Sequence, residues 1–563
     1  MYLKKLSEIV SKIWGNKIFL LLFIFNLLSN LLIIYNYLSF ELYPITTTLA
    51  VSSLIVCISA LSATVESCIC RIFKNRTTRN IILYFFIGLH LAVAIVDFFL
   101  IYNFQLIFNS NIINIIFQTN PNEAESFFGT YLDFTSLLCY IIGSCLTVWL
   151  AIWLSRKLSS HKLVAFISMI LTVLGISIFL FLTTVGKGKT SLTVSGLHSF
   201  ARYGESVIAY KNITREIQLL RDTNRNKINV HLKQENCPTI VLVLGESFSV
   251  YHSSLYGYPK LTNPRLSKLA TDGSLVVYDD AVSQYDWTQS TMNSIFRISG
   301  SEEPNSNMVL FPTIFKSAGY TTSLFDNEYF IGEGISWLTD QELSEILYDN
   351  RNKESVGYDI NLLSLIKEST KPQLLILHLI GQHYAYQYRY PQEFKQFTES
   401  DYNSNISKEE RELVAHYDNA TLYNDFVVDS IIKKFEDENS IVIYFSDHGE
   451  DLCETDYYVG HGNAKRRPTA LYQIRVPFMI WTSQKFNALY PETVQKIKDA
   501  EHKPIITSDL PHLLFDLAGI DTQYFCPQFS FINEQYQISK KRIVLGSLDY
   551  DELKNKPLPK SRY

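Results

Sequence analysis

Five predominantly apolar runs in the first third of the chain, at 18–38, 45–65, 81–101, 134–154 and 163–183, constrain its fold more than any other feature. Each reaches the roughly 20 residues that carry a helix across a hydrocarbon core. Peptide groups in lipid have no water to bond, so such runs are expected as helices that satisfy their own backbone. The first is not a cleavable leader: no small-residue cleavage site follows it, and further spans come after.

Charges between the runs orient them. The amino-terminal segment carries Lys4, Lys5, Lys12 and Lys17, the second connection Arg71, Lys74, Arg76 and Arg79, and the fourth Arg156, Lys157 and Lys162. The first and third connections, 39–44 and 102–133, hold neither Lys nor Arg. The positive-inside rule therefore predicts a cytoplasmic amino terminus and an external chain after residue 185. His90 and Asp97, seven residues apart on the third span, share a helical face. Ionisable groups in a span point to function, although Asp97 stands near the outer end, where it is expected to reach the interface. The apolar first half of the third connection is expected to lie on the outer leaflet, followed by an acidic turn.

Net charge is -5, which offers no footprint for nucleic acid. Five of the 8 cysteines lie in or beside the apolar runs, and no CxxC spacing announces a thiolate metal site or a disulfide framework. Three parts are expected: a five-helix membrane domain over 1–186, a bridging segment over 187–235 and a catalytic α/β domain over 236–563. The bridge contains an amphipathic helix over 199–220, with Lys211, Arg215 and Arg221 on its polar side and Phe200, Val207, Ile208 and Ile213 on the other. It reads as a surface-lying tether.

Beyond Cys237, strands alternate with helical patterns. The runs at 239–247 and 441–446 are β-branched and lack polar alternation, as parallel strands covered on both faces should be. Further strands are expected at 321–325, 373–379, 476–482 and 542–546, and helices at 264–270, 408–436 and 508–518, the last with Ser508 as N-cap and Gly519 as stop. This alternation predicts a mostly parallel sheet sandwiched by helices.

Open α/β sheets place their sites beyond the carboxyl ends of strands. There the sequence sets Glu246, the adjacent pair Asp447 and His448, the run His378 to His383, and His461 between two glycines. Each alone has an ordinary structural role; together they point to a metal-dependent hydrolase or transferase. Carboxylate oxygen with imidazole nitrogen suits Zn²⁺, with Mn²⁺ as the alternative. A transferase also needs a nucleophile, and 283–294 supplies hydroxyls. If Thr288 opens the following helix, its oxygen could meet the metal while the helix amino terminus favours a bound phosphate. Ser290 and Thr291 are the alternatives, and one of these hydroxyls is expected to cap that helix.

Several motifs recur together: Gly245-Glu246-Ser247 followed by His252, Gly257-Tyr258 and Thr262; Ser446-Asp447-His448-Gly449-Glu450 followed by Gly460-His461-Gly462 and Val476-Pro477; His378, Gly381 and His383 with Tyr390-Pro391; Asp326-Asn327; Trp337-Leu338 with Gln341; and Thr119 with Glu123 in the third connection. In them the chain resembles the bacterial phosphoethanolamine transferases of the inner membrane, a branch of the alkaline phosphatase and sulfatase superfamily. The resemblance implies a zinc site of Glu246, Thr288, Asp447 and His448, with Thr288 the nucleophile that forms a zinc-bound phospho-threonine. It implies that His383 and His461 contact the phosphoryl group or a second metal. Thr119 and Glu123 would line the headgroup site, with His378, Asp326 and Asn327 also on the substrate side, and His383 or Glu123 would carry the proton. It further implies phosphatidylethanolamine as donor, a lipopolysaccharide or other periplasmic glycan as acceptor, contact with membrane lipid, and a monomer in the inner membrane with a periplasmic catalytic domain. One departure matters. In lipid A-modifying members the threonine follows Cys-Gly, whereas Asp286-Trp287 precede Thr288 here. In this respect a core-sugar or periplasmic-glucan transferase is closer.

Three other readings share parts of this layout. A phosphoglycerol transferase has the same plan but a different strand-end signature. A tethered sulfatase or phosphodiesterase would release its product to water, and a sulfatase needs a modifiable Cys or Ser in a Pro-Arg context that is missing here. A binding domain that kept the fold but lost its metal would lack ligands that this chain retains.

Overall fold

The computed structural model describes residues 2–38, 45–104, 107–109, 112–113, 116, 134–159, 161–184, 194–195, 197–225, 228–300, 306–328, 346–352, 355–403, 405–454, 459–462 and 470–556. The chain divides into two compact units, Met1–Ile116 with Pro121–Ile213 and Phe117–Asn120 with Thr214–Tyr563.

In the first unit a short helix, α1 (Tyr2–Trp14), precedes α2 (Lys17–Leu38), α3 (Ile45–Ile72), α4 (Arg76–Phe104), α5 (Phe134–Leu158) and α6 (Lys162–Thr184). Among the described residues, α2 to α6 are the 5 helices long and apolar enough to cross a membrane. Large apolar side chains such as Phe85, Ile141, Trp149 and Val173 are exposed, as a lipid-facing surface requires. The inside of the bundle is polar instead. Glu66 accepts from Asn26 at 2.9 Å and lies 3.1 Å from His90 Nε2, while His90 Nδ1 meets Ser29 Oγ at 3.1 Å. Hydrogen bonds of this kind join helices where the hydrophobic effect between them is weak.

Helix α7 (Ser199–Asn224) corrects two expectations. Asp97 does not reach the interface: it is fully buried, ion-paired with Arg202 and bonded by the Phe108 N–H at 3.1 Å. Nor is the start of α7 a surface tether. Ser199 and Arg202 are buried, and Phe200 stacks on His90 with 4.4 Å between ring centres. Polar contacts to α2 and α4 draw this turn inward, while Val207 and Ile208 remain exposed. The division between the two units falls inside α7.

In the second unit the strands are β1 (Thr239–Gly245), β2 (Leu275–Tyr278), β3 (Thr321–Asp326), β4 (Asn350–Arg351), β5 (Gln373–His378), β6 (Ser440–Ser446) and β7 (Phe478–Thr482). They form one sheet in the order β2-β7-β6-β1-β5-β3-β4, in which β7 alone runs against the others. The central strands β1, β5 and β6 are buried along their whole length. Helix α8 (Pro264–Thr271) and helix α10 (Lys408–Lys434) cover the sheet; α9 (Thr288–Phe296) lies between them in sequence, and α11 (Leu510–Ala518) comes after α10. Ser407 caps α10 in a reciprocal box with Glu410, and Gly519 ends α11 in a left-handed turn.

Two of the boundaries that differ from expectation have a visible cause. The strand expected over 542–546 is a two-residue piece paired with Leu548–Asp549 outside the main sheet. Arg542 is held by Asp280 and Asp551, and Leu545 and Gly546 turn with positive φ, so no longer strand can form. Helix α11 starts two residues late because Thr507–Asp509 makes a 3-10 turn that takes in Ser508.

Breaking a buried ion pair on one side strands a charge, at a cost of about 3–5 kcal/mol. Asp97→Ala should therefore lower the thermal stability of the detergent-solubilised protein by an amount in that range. The double variant Asp97→Ala/Arg202→Leu should recover most of the loss in the same melt.

Candidate active site

The register of the two central strands creates the site. β1 and β6 run parallel with Gly245 opposite Ser446, so the next residues, Glu246 and Asp447, emerge side by side. Both are fully buried. Ser247 follows in the left-handed region at φ 57°, a conformation that costs a non-glycine residue and marks functional turns. Three bonds hold it: its Oγ donates to Glu246 at 2.7 Å, its N–H to Asp447 at 3.2 Å, and its carbonyl accepts from Tyr417 at 2.5 Å. Gly381 turns at φ +47° against this loop, and a Cβ there would lie 2.9 Å from the Glu246 backbone.

His448 points Nε2 at the carboxylates, 3.3 Å from Glu246 Oε1 and 3.1 Å from Asp447 Oδ2, while Nδ1 lies 2.9 Å from the Gly449 carbonyl. Thr288 is the first residue of α9, and its Oγ1 lies 3.2 Å from Glu246 Oε2 and 3.3 Å from His448 Nε2. The alternative Thr291 is buried, with its hydroxyl 3.2 Å from Ser283 Oγ. No hydroxyl caps α9 as expected: Trp287 holds the N-cap position without a side-chain bond.

The donors fit a divalent cation. Ligand atoms of Glu246, Asp447 and His448 lie within 4.8 Å of one another, and Asp447 Oδ2 is buried without a hydrogen bond. Electrostatics agree. Burial and then the charge of Glu246 push Asp447 well above the carboxylate range. Burial opposes ionisation of Glu246 too, yet His448 beside it holds that carboxyl well below its usual value. Against its own burial, His448 is raised to about 10 by Asp447 and Glu246. Two adjacent buried carboxylates call for a counter-charge, which a cation would supply. Two oxygens, one nitrogen and a hydroxyl suit zinc.

Other expected residues lie beside this cluster. His461 Nδ1 lies 2.7 Å from Glu450 Oε2, its ring 4.0 Å from that of His448, and Tyr386 donates to the other oxygen of Glu450 at 2.6 Å. His448, Glu450 and His461 are spaced to hold a cation, as are Glu246, Glu328 and His383. Burial pushes His383 down to about 3. His378 lies between two carboxylates, Asp326 at 2.9 Å and Glu328 at 3.3 Å, and despite burial Asp326 raises it to about 9. Asn327 differs from expectation: it donates to Gly357 and Asp359 and accepts from Ser355 and Val356, so it braces the loop. Thr119, Glu123, Trp337, Leu338 and Gln341 lie outside the described residues. Sequence reasoning passed over Glu450 and Glu328 as site residues. Their signal was proximity alone, each two residues beyond a residue already singled out.

A mostly parallel sheet with acid, imidazole and hydroxyl groups gathered past its central strands defines a fold of the alkaline phosphatase and sulfatase type. A family model described as Sulfatase matches residues 238–520, and one described as Phosphoethanolamine transferase EptA/EptB matches residues 64–187. The chain belongs to the sulfatase family, in its membrane-bound phosphoethanolamine transferase branch. It is 28% identical over 497 residues to phosphoethanolamine transferase EptC of Escherichia coli K12, covering 82% of this chain and 84% of that one. Against phosphoethanolamine transferase CptA of Salmonella typhimurium it is 29% identical over 499 residues, with the same two coverages, 82% and 84%. The zinc complex of the C-terminal periplasmic domain of Escherichia coli EptC superposes with a TM-score of 0.50 at 29% identity, covering 57% of this chain and 96% of that domain. The integral membrane protein EptA of Neisseria meningitidis shares the fold, with a TM-score of 0.60 over 91% of this chain and 97% of that one at 18% identity.

Partners that orient a ligating histidine are worth about 10–100-fold in affinity or activity. Glu450→Gln, which keeps the shape but removes the charge beside His461, should lower transfer within that range. Asp447→Ala should leave the protein folded by circular dichroism yet unable to retain zinc in elemental analysis.

Proposed function

We propose that this enzyme takes phosphoethanolamine from phosphatidylethanolamine and passes it, by way of Thr288, to a lipopolysaccharide acceptor. The observation that carries the reading is the Thr288 hydroxyl at 3.2 Å from Glu246 and 3.3 Å from His448, at the first residue of a helix.

Glu246, Asp447, His448 and Thr288 would hold the cation, zinc by the chemistry of the donors. Bound there, it would lower the pKa of the hydroxyl and offset phosphoryl charge. In the first half-reaction Thr288 Oγ bonds to phosphorus as the bond to the diacylglycerol oxygen breaks, and diacylglycerol leaves with the proton. In the second, an acceptor oxygen bonds to the same phosphorus as the bond to Thr288 Oγ breaks, and the acceptor's proton restores the threonine hydroxyl. The amino-terminal N–H groups of α9 face the phosphoryl oxygens, where developing charge is largest. Two half-reactions through one covalent enzyme imply ping-pong kinetics.

The membrane helices give this chemistry its donor. A diacyl lipid leaves the bilayer at about 0.8 kcal/mol per exposed methylene, so a transferase for it gains by staying in the membrane. We place the amino terminus in the cytoplasm and the catalytic unit in the periplasm on the charge asymmetry of the connections. For the acceptor, Asp286-Trp287 before Thr288, where lipid A-modifying members carry Cys-Gly, favours a core sugar or periplasmic glucan over lipid A.

Incubated with donor and no acceptor, the wild-type protein should gain one phosphoethanolamine on the peptide holding Thr288. Thr288→Ala should lose transfer by at least about a thousandfold. An adduct on Ser290, or full activity in the alanine variant, would refute the scheme. Mass spectrometry of core and lipid A fractions from cells with and without the chain assigns the acceptor.

A further inference from the structure

The loop after β1 carries one carboxylate of the cation cluster and bonds to the other. Ser247 adopts the left-handed region at φ 57°. In that conformation its Oγ reaches Glu246 at 2.7 Å and its N–H reaches Asp447 at 3.2 Å. A serine does not favour such backbone by itself, so groups elsewhere in the fold must impose it.

Tyr417 is placed to do so. It stands in the middle of α10 and is fully buried. Its hydroxyl donates to the Ser247 carbonyl at 2.5 Å and accepts from the Ser249 N–H at 2.7 Å. A phenol has one proton to give, so a single oxygen ties both sides of the turn with its bond directions fixed. The ring meets Tyr386 and His252 edge to face, with 5.1 and 5.3 Å between centres, which sets where the hydroxyl points. The next residue of the helix, Asp418, takes His252 Nδ1 at 2.7 Å and the hydroxyl of Tyr258 at 2.8 Å. His252 and Tyr258, which recur in the opening motif, thus belong to the bracing of this loop. Two consecutive residues of α10 hold it.

We infer that Tyr417 is a positioning residue for the cation: its hydroxyl keeps Ser247 in the turn that presents Glu246 and Asp447, and so sets how tightly zinc is retained. The inference rests on the reading of that cluster as a cation site. Tyr417 acts through the backbone of Ser247 and Ser249. Without the hydroxyl, a buried carbonyl and a buried N–H lose their partner. Ser247 is then free to leave the left-handed region and to take its Oγ and N–H away from the two carboxylates.

The test compares the full chain with Tyr417→Phe and with Tyr444→Phe, which removes a buried hydroxyl that makes no bond to this loop. Zinc affinity is read by competition with a chromophoric chelator, transfer is followed across a range of free zinc, and the metal-free proteins are melted. Tyr417→Phe should bind zinc about 10–100-fold more weakly, the range for groups that orient a metal ligand. It should regain most of the wild-type rate once zinc saturates. Tyr444→Phe should keep wild-type affinity. A Tyr417→Phe chain that melts earlier or fails to fold, yet shows no selective loss of zinc, makes the tyrosine structural and overturns the inference. Equal loss of affinity in Tyr444→Phe overturns it too, as does a rate that saturating zinc does not restore. A wild type that binds no zinc refutes the cation site itself.

Discussion

Two carboxylates forced together at the ends of neighbouring strands are the interaction on which the catalytic unit depends. Parallel pairing of Gly245 with Ser446 leaves Glu246 and Asp447 no choice but adjacency, and the surrounding sheet removes them from water. Like charges that close cannot both ionise in a buried place without a counter-charge. The strained turn at Ser247, the Tyr417 clamp and the tight approach of Gly381 all hold that arrangement in place. Strain is tolerable there because the centre of the sheet, buried on both faces, supplies the stability that the loops give up.

Much of this was legible because it follows from local rules. A β-branched run without polar alternation is a buried strand, and a carboxylate just beyond it is a site residue by topology. That reasoning found Glu246, Asp447, His448 and the helix beginning at Thr288. It failed where a distant partner decides the outcome. Strand β2 is short and half-buried, and it joins the sheet only because β7 runs antiparallel beside it, a direction that no local pattern encodes. Residues 542–546 have strand-like composition, but Arg542 is captured by Asp280 from across the unit. Glu450 and Glu328 were readable as charged residues, yet their roles come from the histidines they face.

The membrane unit inverts the usual order of a soluble core. Its outward surface is apolar, while Asn26, Ser29, Asn30, Glu66 and His90 are buried between helices with their partners in place. Asp97 belongs to the same plan, although its partner Arg202 comes from 105 residues away. From sequence it looked like an outer-end residue because the cation that neutralises it lies on α7, beyond the last span. A buried carboxylate near an apolar helix end is therefore better read together with every arginine that can return to it.

The two histidines expected to meet the phosphoryl group are not equivalent. A ring held neutral down to about 3, as His383 is by burial, accepts a proton weakly near neutral pH. His461 has its Nδ1 beside the carboxylate of Glu450, which fixes the orientation of the ring. Tyr386 then steadies Glu450 from its far side. The sequence left the proton carrier between His383 and Glu123, and we propose His461, braced in this way, as a third candidate.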